Sequence, residues 1–286
     1  MLTFLRVRTC LLLSVCIAIF AAAAPPCDVR AQPQQQQAAK HPITHEDVWL
    51  TKRVGAPVPS PDGSWVVFSV VEPAYEEKNQ VSDIWIVPVD GSAAPRRLTY
   101  SKSAESDLAW SPDGHRLAFS AKREGDEVNQ IYVMNVAGGG EAVKFTSLST
   151  GASLLAGVPM VKRLLFVSSV YPGAADDEAN KKMAAERSAR KYRARVYEGF
   201  PIRNWDKWIE ETQPHLFTQT DASGAKAVDI LANTDLVAEH GFGGRQTETG
   251  EVIDAIWTPD GRGIVFAATA NRDTAAYAPP IRISIC

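Results

Sequence analysis

The sequence predicts an all-β fold, a partial β-propeller of about three and a half four-stranded blades with a helical insertion in blade three. Three observations predict it. A strand-like segment recurs at intervals of about 50 residues, which is typical of propeller blades. Tight Pro-Asp-Gly turns stand inside most copies of that segment, and 45% of the residues are apolar against 22% charged, as in ordinary globular chains.

The repeated segment occurs four times, the third time in degenerate form. The copies are residues 58–69 (VPSPDGSWVVFS), 109–120 (AWSPDGHRLAFS), 157–168 (GVPMVKRLLFVS) and 256–267 (IWTPDGRGIVFA). Proline fixes φ, aspartate bonds its own backbone and glycine accepts a positive φ, so each clean copy predicts a structural turn before a strand. The predicted turn residues are Pro61, Asp62, Gly63, Pro112, Asp113, Gly114, Pro259, Asp260 and Gly261.

A second pattern follows the first and has the aromatic residues Trp85, Tyr132 and Phe217 as its anchors. The second interval, 85 residues, is much longer than the first, 47 residues, and predicts an insertion of about residues 174–212, here called the insert. Residues 176–197 are rich in Ala, Lys, Glu and Arg and favour a helix. The basic residues of its later half are expected on a solvated helix face: Arg190, Lys191, Arg193 and Arg195.

Two tryptophans close the insert. Trp205 and Trp208 are three positions apart, so a helix would place them on one face. We expect them to dock the insert on the propeller; the alternative is that they face a ligand. The possible interface residues are Arg203, Trp205, Asp206 and Trp208.

The N-terminus has the organisation of an export signal. Arg6 and Arg8 precede the apolar run 10–24, which is short for a membrane span. We predict a signal peptide over residues 1–31, a Gln-rich linker over 32–42, the partial propeller over 43–280, and no stable membrane anchor after cleavage. The expected location is secreted or periplasmic; the alternative is an uncut anchor.

Charge and cysteine content exclude several function classes. The net charge is −3, so the chain lacks the positive electrostatic potential that attracts nucleic acid. The four cysteines, at positions 10, 16, 27 and 286, offer neither a disulfide framework nor zinc spacing. A sugar- or metal-binding propeller would need acidic or histidine clusters that the sequence lacks. We therefore expect no cofactor and no metal.

Two stretches resemble a known family. The first is Glu46-Asp47-Val48-Trp49 through Gly55, followed by the turn at 60–63; the second is the RNWDKW run at 203–208 with HLF at 215–217. Over about residues 43–280 the chain resembles the N-terminal propeller of the prolyl oligopeptidase family, in its acylaminoacyl-peptidase and dipeptidyl-peptidase branch. The resemblance implies a propeller that caps a C-terminal α/β-hydrolase with a Ser-Asp-His triad, acting on short or N-blocked peptides.

The chain departs from that family because it contains no G-x-S-x-G motif, the strand-turn-helix that carries the hydrolase nucleophile. No catalytic residue is therefore predicted. We expect a non-catalytic propeller fragment of an exported serine peptidase that gates substrates by size. Short peptides would be its partners through the missing hydrolase domain. The alternative is a free-standing, TolB-like periplasmic propeller that binds or scaffolds other molecules.

We interpret two stretches that break the repeat pattern, residues 154–162 and 280–286, as products of a shifted reading frame. Codons permitted for residues 154–162, read from their third base, encode P-R-W-S-P-D-G-K, which is the turn missing from the third copy. The same offset over 280–286 encodes N-T-H-L-Y-L, which matches the next expected strand and its aromatic anchor. We therefore expect residues 281–286 to be a frame-shifted tail. The alternative is a degenerate blade in a naturally short chain.

Overall fold

A computed structural model describes residues 41–76, 79–136, 138–155, 163–192, 194–197, 202–204, 206–222, 224–238, 241–247, 250–272 and 281–285. His45–Cys286 form one compact unit. The predicted signal peptide and all but two residues of the Gln-rich linker lie outside the described residues, as does the degenerate stretch 156–162.

The first two sheets are antiparallel meanders that follow a short helix, α1 (His45–Trp49). Sheet one has the order β1-β3-β4-β5, with β2 also paired to β3: β1 is Arg53–Val54, β2 Val58–Pro59, β3 Trp65–Glu72, β4 Val81–Pro88 and β5 Arg96–Arg97. Sheet two has the order β6-β7-β8-β9: β6 is Glu105–Trp110, β7 Arg116–Ala121, β8 Gln130–Asn135 and β9 Val143–Lys144.

Sheet three repeats this plan, with the insert between its second and third strands. Its order is β10-β11-β14-β15: β10 is Ser153–Leu154, β11 Arg163–Val170, β14 Gln213–Thr220 and β15 Val228–Asp229. The insert contains α2 (Asp177–Ser188) and a two-stranded hairpin of β12 (Arg203–Asn204) and β13 (Lys207–Trp208).

Sheet four follows α3 (Asp235–Ala238) and a hairpin of β16 (Arg245–Thr247) and β17 (Gly250–Val252). Its order is β18-β19-β20: β18 is Asp254–Trp257, β19 Ile264–Thr269 and β20 Ile281–Ile285. Four successive antiparallel sheets of this kind confirm the predicted all-β, partial-propeller fold with its helical insertion in blade three.

Hydrophobic cores lie between successive sheets. Phe119 of sheet two is buried against Val67 and Ile84 of sheet one, and Phe166 of sheet three is buried against Ala118 of sheet two. Phe266 of sheet four is likewise buried against sheet three. Sheets two and three therefore each bury one face against the preceding sheet and the other against the following sheet. Stability comes from this stacking, as expected for repeat architectures.

The aromatic anchors of the two sequence patterns are direct cross-strand partners. Phe68 lies opposite Trp85, Phe119 opposite Tyr132, and Phe166 opposite Phe217. The ring centroids are 6.1 Å apart in the second pair and 5.7 Å apart in the third. Such pairs stabilise a sheet beyond the area that they bury. The two patterns are therefore the two central strands of one blade.

The insert differs from its sequence prediction in two ways. The helix ends at Ser188 instead of extending to residue 197, so Arg190, Lys191 and Arg195 follow the helix and do not form one of its faces. Arg193 lies outside the described residues. Trp208 is also in a strand: it pairs with Arg203 across the β12–β13 hairpin. The helical-face interpretation is therefore wrong for Trp208, and Trp205 lies outside the described residues. A strand alternates its faces, and the turn between β12 and β13 brings their backbones together.

The tail predicted to be frame-shifted pairs with β19 over residues 281–285. Ser284 lies opposite Phe266. In sheets one to three the equivalent position opposite the phenylalanine holds Trp85, Tyr132 or Phe217. The register thus keeps the blade pattern although the residue there is not aromatic.

Candidate functional site

A cavity of about 870 Å³ lies where the first strands of sheets two, three and four approach one another. We call it the central cavity. β6 contributes Asp107 to its lining, β10 contributes Ser153 and Leu154, and β18 contributes Asp254 and Ala255. Its volume is within the usual range of about 300–1,000 Å³ for small-molecule sites. Its charged lining residues are Asp107, Lys122, Glu127, Glu251 and Asp254.

Asp107 has the most unusual backbone of the cavity lining. It is one of two non-glycine residues in the described chain with a positive φ, at 55°. The pairing of β6 with β7 is broken between Ser106 and Ala109, so Asp107 and Leu108 form a β-bulge. A residue in such a conformation costs about 1–3 kcal/mol, and such strain clusters at functional sites. This strain makes Asp107 the leading candidate for a functional residue in the cavity lining.

The carboxyl of Asp107 is also electrostatically unusual. Burial raises the pKa of Asp107 above its ordinary value, while hydrogen bonds with Ser120 and Ser106 act in the opposite direction. Ser106 Oγ donates to Asp107 Oδ2 at 3.2 Å. Because the carboxyl is desolvated, its charge would be felt strongly by a ligand in the cavity. Sequence reasoning missed Asp107; the signal was an aspartate, a poor strand former, inside the strand ESDLAW.

Two other acidic residues of the lining are neutralised by arginines. Arg245 of β16 holds Asp254 with Nε at 3.0 Å and Nη2 at 3.3 Å from its carboxylate oxygens. Arg272 Nε lies 3.0 Å from Glu251 Oε1, and its Nη2 donates to the carbonyl of Phe242 at 2.8 Å. These pairs fix the β16–β17 hairpin beside the cavity. The hairpin separates Gly243, which pairs with Thr269 of β19, from β18, which pairs with the rest of β19.

A histidine–carboxylate pair exists, but without a nucleophile. His215 Nδ1 lies 2.7 Å from Asp229 Oδ2, and His215 Nε2 is buried with no hydrogen-bond partner among the described residues. A serine triad requires the other imidazole nitrogen to reach a hydroxyl. His215 instead occupies the repeat position of Asp83 and Gln130, which bond to Ser101 N and Leu148 O beyond the outermost strand. The pair is therefore a structural link.

The same pattern of hydrogen bonds recurs in each of the three predicted Pro-Asp-Gly turns. In the first, Ser60 Oγ donates to Asp62 Oδ1 at 2.5 Å and accepts from Trp65 N at 2.9 Å. Gly63, Gly114 and Gly261 have φ of 72°, 71° and 66°, which only glycine adopts without strain. The hydroxyl donor is Ser60, Ser111 or Thr258, so the repeat unit is Ser/Thr-Pro-Asp-Gly. Pro61, Pro112 and Pro259 occupy the same position in each turn.

These hydrogen bonds lower the pKa values of the turn aspartates. The hydrogen bond from Ser60 lowers the pKa of Asp62 to about 2. The hydroxyls of Ser111 and Thr258 lower the pKa values of Asp113 and Asp260 in the same direction. Each aspartate accepts a backbone N–H two residues later, as turn-forming aspartates do.

The predicted interface residues lie on the surface of the insert. Arg203 lies with its guanidinium 5.8 Å from the centroid of the Trp208 ring, and Trp208 is 50% exposed. Tyr197 stacks on Trp208 with centroids 6.3 Å apart. Asp206 is exposed in the turn, and Trp205 lies outside the described residues.

The insert is attached to the sheets through its helix. Asp177 Oδ1 accepts hydrogen bonds from Ser149 N at 2.8 Å and Ser149 Oγ at 2.6 Å. The buried Asn180 accepts from Tyr171 N at 2.8 Å, and Arg187 lies 4.3 Å from the Tyr171 ring centroid. These contacts hold both ends of α2 against the loop before β10 and the residue after β11, a role that was expected of the tryptophans.

The described residues contain neither a membrane-spanning helix nor a metal cluster. No helix among them is long and apolar enough to cross a membrane. No group of three or more His, Cys, Asp or Glu side chains in the described ranges is arranged to hold a metal ion.

Relatives of this chain are peptidases by name. It is 27% identical over 238 residues to the uncharacterized peptidase YuxL of Bacillus subtilis, covering 83% of this chain and 33% of that protein. It is 27% identical over 259 residues to dipeptidyl-peptidase 5 of Porphyromonas endodontalis, covering 90% of this chain and 35% of that protein. The chain thus spans about a third of the length of these relatives. No protein-family model matches it.

Solved structures with similar folds include the acylaminoacyl peptidase of Pyrococcus horikoshii and TolB of Acinetobacter baumannii. The first has a TM-score of 0.46 at 15% identity, covering 78% of this chain and 29% of that one. The second has a TM-score of 0.41 at 16% identity, covering 82% of this chain and 41% of that one. The named peptidase relatives confirm the resemblance drawn from the sequence, and the chain is a peptidase-related propeller.

Proposed function

We propose that this chain is the non-catalytic propeller portion of an exported serine peptidase that acts on short peptides, and that it gates substrates by size. The observation that carries the proposal is the central cavity, bounded by the first strands of three successive sheets in a chain whose relatives are named peptidases. A hydrolase domain would supply the bond cleavage.

The cavity lining supports a role in admitting peptides. With Asp254 and Glu251 held by Arg245 and Arg272, the charges not held in those two ion pairs are Asp107, Glu127 and Lys122. Charges of both signs could meet the two termini of a short peptide, whereas a folded chain could not enter a cavity of about 870 Å³. Size exclusion would thus follow from the packing of the sheets.

Hydrolysis by the chain itself is the first test. The purified protein is incubated with a chromogenic dipeptide, with and without a serine-reactive inhibitor. We expect no release of the chromophore above the uncatalysed rate, because the His215–Asp229 pair has no nucleophile in the described residues. Turnover that the inhibitor abolishes would overturn the non-catalytic part of the proposal.

Peptide length is the second test. Binding of fluorescent peptides of two, three, ten and twenty residues is measured for the wild type, for Asp107→Asn, and for the surface control Asp221→Asn. We expect the short peptides to bind, with affinity reduced by Asp107→Asn and unchanged by Asp221→Asn. Equal binding of all lengths would contradict gating, and capture of a folded partner instead would favour the scaffold alternative.

Export and the missing domain complete the proposal. N-terminal sequencing of the secreted or periplasmic protein should begin near residue 32. Sequencing of the locus beyond codon 286 should reveal a reading frame with a G-x-S-x-G motif. In that longer protein the insert surface of Arg203, Asp206 and Trp208 would face the hydrolase domain; a frame that closes without the motif would reject this assignment.

A further inference from the structure

A second cavity, of about 710 Å³, lies between the insert and the last two strands of sheet three. We call it the insert cavity. Of its described lining residues, only Thr150 also lines the central cavity. Its volume is within the usual range of about 300–1,000 Å³ for small-molecule sites. Three elements contribute lining residues: α2 with Asp177 and Lys181, β14 with Phe217 and Gln219, and β15 with Val228 and Asp229.

The insert cavity is held open by contacts within the protein. Ser149 donates two hydrogen bonds to Asp177 Oδ1, from its backbone N at 2.8 Å and its Oγ at 2.6 Å, and these hold the start of α2 in the wall. Phe217 is 6% exposed, and Phe145 and Leu148 beside it in the lining are partly buried. Together these three side chains give the cavity an apolar part, which can receive the apolar body of a ligand.

Gln219 offers the insert cavity an unused hydrogen-bond acceptor. The residue is 8% exposed, and its Nε2 donates to the carbonyl oxygen of Phe145 at 2.7 Å. Its Oε1 accepts no hydrogen bond from the residues that the structure describes. Buried side-chain polar atoms in proteins nearly always have a partner. A ligand that carries a hydrogen-bond donor would supply the partner that this oxygen lacks.

The charged residues of the lining favour a donor that is positively charged. Lys181 is shared between two carboxylates, with its Nζ 2.7 Å from Glu178 Oε1 and 3.2 Å from Asp177 Oδ2. The N-terminus of α2 does not attract an anion, because Asp176 caps it by accepting from Ala179 N at 2.8 Å. Carboxylates exceed amines in the lining, and they still do when Asp229 is counted as paired with His215. The charged lining residues are Asp176, Asp177, Glu178, Lys181, Lys226 and Asp229.

We propose that the insert cavity is a binding site for a small primary amine with an apolar body. The ammonium group donates to Gln219 Oε1 and is attracted by the excess of carboxylates, and the apolar body packs on Phe145, Leu148 and Phe217. Because α2 belongs to the insert and β15 to sheet three, a bound amine links the two and strengthens the attachment of the insert. The proposal goes beyond substrate gating, since this site lies outside the central cavity.

The first experiment compares three probes of similar size and different charge. Isothermal titration calorimetry measures the binding of phenethylamine, of the neutral phenethyl alcohol and of the anionic hydrocinnamate to the purified protein. We expect phenethylamine to bind at one site per chain and the other two at least about tenfold more weakly, because only the amine supplies a charged donor. Equal binding of the three probes would reject the amine as the ligand class, and no binding of phenethylamine would reject the site.

A second experiment locates the amine with a substitution at the edge of the insert cavity. Ala175 is exposed and lines the cavity, so Ala175→Trp fills the space without changing a core residue and should abolish phenethylamine binding. Ala222→Trp is the matched control, because Ala222 is exposed and is not among the described lining residues, and it should bind as the wild type does. Binding that survives Ala175→Trp would overturn the proposal. Loss of binding in Asp107→Asn instead would place the amine in the central cavity and overturn it as well.

The role of the Gln219 oxygen has its own variant. Gln219→Met keeps the length of the side chain and removes the acceptor, so it should weaken phenethylamine binding by about tenfold while binding of phenethyl alcohol changes less. An equal loss for both probes would show that the side chain only shapes the cavity. Gln219→Met also loses the hydrogen bond to Phe145, so thermal melting must show that the variant is folded. If it is not, the comparison of Ala175→Trp with Ala222→Trp decides.

Discussion

The indole Nε1 of Trp110 donates a 3.1 Å hydrogen bond to the carbonyl oxygen of Val58, 52 residues earlier in the chain. Trp110 ends β6 of sheet two and Val58 begins β2 of sheet one, so the bond links neighbouring sheets. Trp257 has the same place in sheet four, but its Nε1 is buried with no partner in the part of the chain that the structure describes.

The link between Trp110 and Val58 should be measurable. Trp110→Phe removes the donor and is expected to cost about 1 kcal/mol beyond the packing lost with the smaller ring. Trp257→Phe removes a donor that has no partner among the described residues, so it should cost only packing. Chemical denaturation of both variants gives the comparison. Equal losses would show that the hydrogen bond contributes nothing.

Relief of strain at Asp107 is the second prediction. Asp107→Gly should raise the free energy of unfolding by about 1 kcal/mol, because glycine adopts the positive φ without cost and no carboxyl is desolvated. Asp107→Ala keeps the strain and loses the hydrogen bonds with Ser106 and Ser120, so it should be less stable than the glycine variant. A glycine variant that melts below the wild type would contradict this account.

The turn aspartates predict a dependence on acid. The hydrogen bond from Ser60 lowers the pKa of Asp62 to about 2, so the ionised carboxylate stabilises the fold at every pH above the ordinary aspartate value of 3.8. That contribution is lost as the pH falls from 3.8 toward about 2. The stability difference between wild type and Asp62→Asn should therefore be constant near neutrality and shrink across this window. A difference that does not change with pH would exclude the carboxylate charge as its source.

Attachment of the insert is the fourth prediction. Asn180→Ala leaves Tyr171 N without its acceptor and should destabilise the protein by about 1–3 kcal/mol. Trp208→Ala should change stability by less than about 0.5 kcal/mol, since a half-exposed side chain contributes little. Thermal melts and limited proteolysis of residues 174–212 report both. Early cleavage in the Trp208 variant alone would restore the tryptophans as the docking residues.

The strand at residues 281–285 gives the fifth prediction. Ser284→Tyr places an aromatic residue opposite Phe266, as in the other three sheets, and should stabilise the protein by about 0.5–1 kcal/mol. Arg282→Tyr, opposite Ala268 in the same strand, is the matched control and should not stabilise the protein.

Resequencing of the locus tests the frame-shift explanation directly: restored frames at codons 154–162 and 280–286 are the expected result, and an unchanged sequence would reject it.

Turns and blade strands follow from local chemistry that the sequence displays. Pro61-Asp62-Gly63 and its two copies specify turns because proline, aspartate and glycine each restrict or extend the backbone on their own. The recurring Phe68 and Trp85 pattern locates the two central strands of a blade. The helical prediction fails for Trp208 because a spacing of three residues is compatible both with a helix face and with a short hairpin. Only the pairing of β12 with β13 shows that the segment is a hairpin.

Asp107 shows the opposite case. The aspartate in ESDLAW is a poor strand former, but the sequence alone does not show that β6 bulges there, since the bulge is a register shift in the pairing of β6 with β7. The turns and the blade strands can be predicted from the sequence because they follow from backbone preferences within about 12 residues. The repeat can be predicted because similar segments recur at about 50-residue intervals. The cavity and the docking of the insert follow only from the three-dimensional arrangement, because burial depends on which sheets stack against each other.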